Sequence, residues 1–267
     1  MTIARKAKAL LASAILTCGL ATGANAATTI NLNSTAQGSV SSNVGTFTQD
    51  GVTVKITAWT LGLDGKISRS ALGQWTGATA GLGVTSTSED GSLNTHTADN
   101  NAGKDFFIFQ FSTLVDVTSA QLNTYSVLNK TADSDATVGF GNSGLAYGTL
   151  PTLTNQSLSD LTTLINGGAL WDSEGGPSSR PLSLDQSLAT AGKIGDMLLI
   201  GADFDGSDGK LKNITSIDGF KLGSITFNKV TPPIPEPATW AMMITGFGFV
   251  GGSMRRRRNA DAAAQTA

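Results

Sequence analysis

Asp105 to Ser112 reads DFFIFQFS, and the next run, Val115 to Leu122, reads VDVTSAQL. Comparable β-branched and aromatic runs occur at 51–59 (GVTVKITAW), 135–142 (DATVGFGN), 195–204 (GDMLLIGADF) and 220–230 (FKLGSITFNKV). Each alternates or is enriched in β-branched and aromatic residues, and Gly, Asn, Asp and Ser clusters separate them. That punctuation predicts strands joined by turns, and so an all-β fold, an antiparallel β-sandwich or jelly roll. One helix interrupts the pattern at SLSDLTTLINGG, where Ser157 or Ser159 supplies the N-cap and Gly167 the stop. Residues 27–231 fit one such body, since all-β domains reach about 200 residues as single units. The chain shows no internal repeat.

The amino terminus is of a different kind. Arg5, Lys6 and Lys8 precede an apolar run from Ala9 to about Leu20, and Ala24-Asn25-Ala26 follows as a small-x-small site before Ala27. Residues 1–26 therefore read as a secretory signal peptide, handled by the Sec translocon and signal peptidase. Cys18, the single cysteine, lies within it. Thr17 does not suit a lipoprotein site, so ordinary cleavage is the expectation. The exported body then has no thiol, which excludes disulfides, cysteine nucleophiles and zinc–cysteine sites.

The formal net charge of −2 conceals an asymmetry. Residues 27–234 hold 11 Lys and Arg against 18 Asp and Glu, a net of −7. An acidic body without a basic patch excludes nucleic acid as a partner, because phosphate neutralisation needs clustered cations.

The carboxyl terminus reads PIPEPATWAMMITGFGFVGGSMRRRRNADAAAQTA. Pro232, Pro233, Pro235 and Pro237 make residues 232–237 an extended linker. Ala238 to Met254 are 17 residues without a charge. As a helix they would measure about 26 Å against a hydrocarbon core of about 30 Å, which predicts a short transmembrane helix with Trp240 at its interface. Arg255, Arg256, Arg257 and Arg258 act as a stop to translocation and hold residues 255–267 on the cytoplasmic side.

PEPATWAMMITGFGFVGGSMRRRR resembles the PEP-CTERM sorting signal in its PEPxxWA variant. The resemblance covers about 30 residues and implies recognition by exosortase, a membrane protease or transpeptidase of Gram-negative bacteria associated with exopolysaccharide production. On that likeness Pro235, Glu236, Pro237 and Trp240 form the sorting motif. Transient residence in the inner membrane is followed by delivery to the cell surface or medium. The stretch GLGVTSTSEDGSLNTHTADNNAGKDFFIFQFSTLVDVTSAQL also resembles the body of many PEP-CTERM proteins, in which a Gly-x-Gly-Val segment leads through an Asp-Asn pair to an apolar strand. This likeness supports a β-sandwich and assigns no activity.

Within the body, Asp99, Asn100 and Asp105 offer hard oxygen ligands in one loop, the kind calcium takes, with a polar turn as the simpler explanation. DFDGSDGK, with Asp203, Asp205 and Asp208, fails the EF-hand pattern at Ser207, Asp208 and Ile214 and reads as a turn. Its glycines lack the strand-to-helix setting of a phosphate loop. His96, the only histidine, has Ser92 and Asp99 near it in sequence, but no Gly-x-Ser-x-Gly elbow supports a triad, and no catalytic residue is assigned. Trp59, Trp75, Trp171 and Tyr147 are candidates for stacking on sugar rings. The resulting expectation is a non-enzymatic, exosortase-sorted surface or matrix protein linked to exopolysaccharide or biofilm. A carbohydrate-binding module is the alternative and a polysaccharide hydrolase the third reading.

Overall fold

The computed structural model describes residues 26–165, 170–184, 194–204, 216–230 and 237–264. The expected signal peptide except Ala26, the linker up to Glu236, Gly167 and the Asp205–Asp208 loop lie outside them.

The body is antiparallel β, as the runs predict. β9 (Lys104–Thr124), the longest strand, has 21 residues and organises the rest. The two runs 105–112 and 115–122 are one continuous strand that changes partners along its length. Its first half lies between β4 (Val52–Leu61) and β14 (Gly195–Ala202), with Ile56 opposite Phe109 and Leu198 opposite Phe109 on the other side. Its second half lies between β13 (Arg180–Ser183) and β15 (Ser216–Lys229), with Leu182 opposite Ala120 and Ile225 opposite Ala120. The residues between the halves, Ser112 to Leu114, are solvated, which in sequence resembles a turn.

The strands form one continuous, strongly curved sheet, which extends from β4 through β3 (Val44–Gln49) to β2 (Gly38–Ser41), with β5 (Ile67–Arg69) on the far end of β4. On the other side it extends from β14 through β11 (Ala136–Gly141) to β12 (Trp171–Ser173). Across β9 the same sheet continues into β15, which gathers short strands: β1 (Thr28–Asn31), β7 (Gly81–Thr85), which carries β6 (Ala71–Trp75), and β8 (Ala98–Asp99). β10 (Thr131–Asp133) joins β15 in parallel.

The packing explains why DFFIFQF does not alternate. Phe107, Phe109 and Phe111 point into the main core with Val54, Ile56, Leu198, Ile225 and Phe227. Phe106 and Ile108 face the opposite way, into a second cluster with Trp59, Leu153, Met197, Leu199 and Phe204. That second face is covered by α1 (Leu158–Leu164) through Leu161 and the adjoining Ile165. A strand buried on both faces loses the two-residue period. Ser157 caps α1, and a capping box forms in which Asp160 accepts from the Ser157 amide at 2.8 Å.

Two glycines let β7 approach its neighbours. Gly81 has φ +149°, and a Cβ there would lie 2.2 Å from the Leu222 carbonyl oxygen. A Cβ on Gly83 would lie 2.0 Å from the carbonyl oxygen of His96. The Gly-x-Gly-Val segment is thus a place where neighbouring backbone comes too near for any side chain.

After the body comes α2 (Pro237–Ala264), 28 residues long. A helix forms where one was expected at 238–254, but it does not stop at the arginines, since Arg and the Ala-rich end that follows favour helix. The expectation of a membrane span needs correction: no helix among the described residues is long and apolar enough to cross a membrane. Gly246, Gly248, Gly251, Gly252, Thr245 and Ser253 dilute the apolar content of the stretch.

Candidate functional site

The tail is the first candidate. Pro237 stands at the first position of α2, where its missing N–H costs no hydrogen bond. Trp240, Met242, Ile244, Phe247, Phe249, Val250 and Met254 are all exposed, Phe249 at 76%. Large apolar groups around a whole helix belong in an apolar setting rather than in water. Arg255 is exposed at the end of this stretch.

The second candidate is acidic. Glu89, Asp99 and Asp105 bring one carboxylate oxygen each within 4.8 Å of one another. Glu89 comes from the turn after β7, Asp99 from β8 and Asp105 from the start of β9. Asp99 and Asp105 are each 1% exposed. Asp99 accepts from the Asn101 amide at 3.0 Å and from Thr97 Oγ1 at 3.4 Å. Glu89 accepts from Ser86 Oγ at 2.8 Å and from Asn101 Nδ2 at 3.3 Å. Thr60 Oγ1 donates to Asp105 Oδ1, while Asp105 Oδ2 is buried without a hydrogen-bond partner. Burial, then the charge of Glu89, pushes the Asp99 carboxyl up to about 7. Burial, then the charge of Asp99, holds Asp105 well above the usual carboxylate range, against the opposing Thr60 bond.

Asn100, expected beside these two aspartates as a ligand, is turned away from them. Its Nδ2 donates to Asp218 Oδ2, and its Oδ1 accepts from the Asp218 amide at 3.1 Å. Asn100 lies just past the end of β8, and its side chain is held on Asp218 instead of facing Asp99 and Asp105. Glu89 takes the place that the sequence reading gave to Asn100. Asn100 instead borders a second acidic group, Asp133, Asp135 and Asp218. That group has a cation of its own nearby: Arg180 is anchored on the Ser134 and Ser173 carbonyls at 2.8 and 2.9 Å. Burial lowers its pKa, and the charges of Asp135 and Asp133 raise it.

Compared with known sequence families, residues 233–258 match the PEP-CTERM protein-sorting motif. The chain carries a PEP-CTERM sorting signal. No curated protein and no solved structure matches it. The motif marks an exosortase-sorted secreted protein, with export and sorting at a membrane. Of its signature residues, Pro235 and Glu236 precede the described helix, Pro237 opens it, and Trp240 stands one turn in, 52% exposed. Ala26 and Ala27, beside the expected signal cleavage, are exposed and unpaired in any strand ahead of β1.

The other sequence candidates in the PEP-CTERM body have structural settings. His96 packs against Trp75 in a tilted arrangement, with ring centroids 4.6 Å apart and an interplanar angle of 58°. No hydrogen bond among the described residues joins it to Ser92 or Asp99, and burial, then the charge of Lys221, lowers its pKa. Trp59 is 1% exposed with Nε1 donating to Thr57 Oγ1 at 2.9 Å. Trp171 packs against the main core. Tyr147 is 41% exposed, with Lys55 Nζ 5.5 Å from its ring. One arrangement had no sequence signal: Lys221 on β15 is 3% exposed, and its Nζ lies 3.9 Å from the Trp75 ring and 4.7 Å from that of Tyr125. Burial lowers its pKa to about 8.

Proposed function

We propose that the protein is a non-enzymatic component of the cell surface or extracellular matrix, working in an exopolysaccharide or biofilm setting after exosortase has processed its tail. The observation that carries this reading is the PEP-CTERM motif joined to a helix whose apolar side chains are uncovered. A proline-flanked carboxylate is stiff and cannot enter a strand ladder, so Glu236 offers one charge in a defined setting to an enzyme at the membrane face. The body supports a structural role. His96 is in contact with Trp75 rather than with an acid, and Trp59 is committed to the core. The carbohydrate-binding alternative is weakened for Trp59, which is buried, and rests on Tyr147 and the half-buried Trp75 and Trp171.

The test is intact mass and terminal peptide mapping of the protein recovered from envelope and medium of its native host. The expected mature form begins near Ala27 and ends near Pro235-Glu236-Pro237, and Glu236→Ala leaves the chain uncut at the inner membrane. A parent protein that keeps Trp240 through Arg258 would make the tail a permanent anchor and defeat the reading.

A further inference from the structure

We propose that Glu89, Asp99 and Asp105 form a binding site for a divalent cation, calcium, that ties the β7 turn to the roots of β8 and β9. Three carboxylates from three separate segments converge within 4.8 Å, and two of them are almost wholly removed from water. Among the described residues no Lys or Arg pairs with any of the three. Like charges desolvated together need a proton or a cation, and they destabilise the fold unless one is supplied.

The deciding detail is Asp105 Oδ2. Its partner oxygen is engaged by Thr60, whose hydroxyl also contacts Ser70 Oγ at 2.5 Å. The Thr60 proton goes to the carboxylate, so Ser70 must donate to Thr60. This chain of hydroxyls fixes the carboxylate's orientation and leaves Oδ2 buried with no donor. A buried acceptor with no donor is a place where an ion or water belongs. The neighbouring Asp133, Asp135 and Asp218 differ on this point, since Arg180 already brings positive charge to them.

The donor set selects the metal. All three ligands are hard carboxylate oxygens, with neither imidazole nor thiolate, which favours calcium or magnesium over zinc or copper. Three carboxylates, each able to bind through one or two oxygens, leave positions for water. Thr60 and Ser86, which hold Asp105 and Glu89, also line an open cleft of about 370 Å³ with Leu63, Lys66, Ser88 and Ala102, so solvent reaches the cluster's edge. Calcium tolerates such irregular, partly hydrated shells, whereas magnesium demands a near-octahedral one.

The test is thermal unfolding of the whole chain in mild detergent, in chelator and with calcium chloride as the only added divalent ion. At about 10 mM calcium the midpoint should rise by about 5 °C, as for an extracellular site of submillimolar to millimolar affinity. Glu89→Gln, on a half-buried turn, should fold normally and lose the rise. Asp105→Asn should be at least as stable as the parent in chelator, because a buried like charge is gone, yet gain nothing from calcium. Asp133→Asn should keep the calcium response. A parent midpoint indifferent to calcium would show that Asp105 simply holds a proton, and a full response in Glu89→Gln would place the ion elsewhere. Either result overturns the proposal.

Discussion

Replacing Lys221 by methionine should flatten the rise in stability that the parent shows at alkaline pH. The native ammonium has a pKa of about 8, against an ordinary value of 10.5. Its proton is therefore held more tightly by the unfolded chain, so stability increases as pH rises through about 8 and is fully gained above about 10.5. A difference of about 2.5 units corresponds to about 3.4 kcal/mol at 1.36 kcal/mol per unit. The faces of Trp75 and Tyr125 favour the charged form and take back about 1–2 kcal/mol, leaving about 2 kcal/mol. For a body of this size that is a midpoint shift of about 4–8 °C. The assay is thermal unfolding followed by tryptophan fluorescence at several pH values from 7 to 10.5, for the parent and Lys221→Met side by side. Other lysines and tyrosines titrate in both proteins, so the difference between the two curves isolates Lys221. His96, the other titratable ring against Trp75, changes charge well below this window. Parallel curves would refute the reasoning and mean that the ring faces cancel the cost of burial.

Two further outcomes test the architecture. Gly81→Ala places a methyl 2.2 Å from the Leu222 carbonyl at a φ of +149° and should destabilise the body by about 2–4 kcal/mol, seen as a lower urea midpoint; an unchanged midpoint would show that β7 and β15 can separate freely. Ser157→Ala removes the cap of α1 and should cost about 1 kcal/mol, with hydrogen exchange at Leu161 and Ile165 accelerating more than at Phe109.

What could be read from the residues follows a physical division. β4, β9, β11, β14 and β15 were legible because burial writes itself into apolar and β-branched composition. β2, β5 and β12, reading GSVS, ISR and WDS, were not: three or four residues with a single apolar member are too short to show a period, and such strands exist because a longer neighbour offers unpaired backbone. The continuity of β9 was hidden for a related reason. Ser112, Thr113 and Leu114 meet solvent, and composition reports exposure, not chain direction. In the acidic site, Asp99 and Asp105 stood out by nearness along the chain. Glu89 lies beyond a 3-10 turn at Ser92–Asn94 and joins them only when β8 docks on β15. Asn100 was credited for adjacency, but its side chain is held on Asp218. The sorting motif needed no folding to be recognised, since an enzyme reads it as a linear segment.

The position of β15 has a mechanical meaning. It leaves the body at Lys229, directly before the linker, and its last residues lie between β1 and β9: Phe227 is opposite Thr28 on one side and Val117 on the other. Any tension on the processed terminus enters the fold along this strand. Antiparallel hydrogen bonds run perpendicular to the strands, so such a pull loads both rows together in shear instead of peeling them apart one at a time. β1 begins at the same end, with Thr28 opposite Phe227. A protein held by its tail would thus present the opposite end of its sandwich outward and be gripped where its sheet is best able to resist being drawn out.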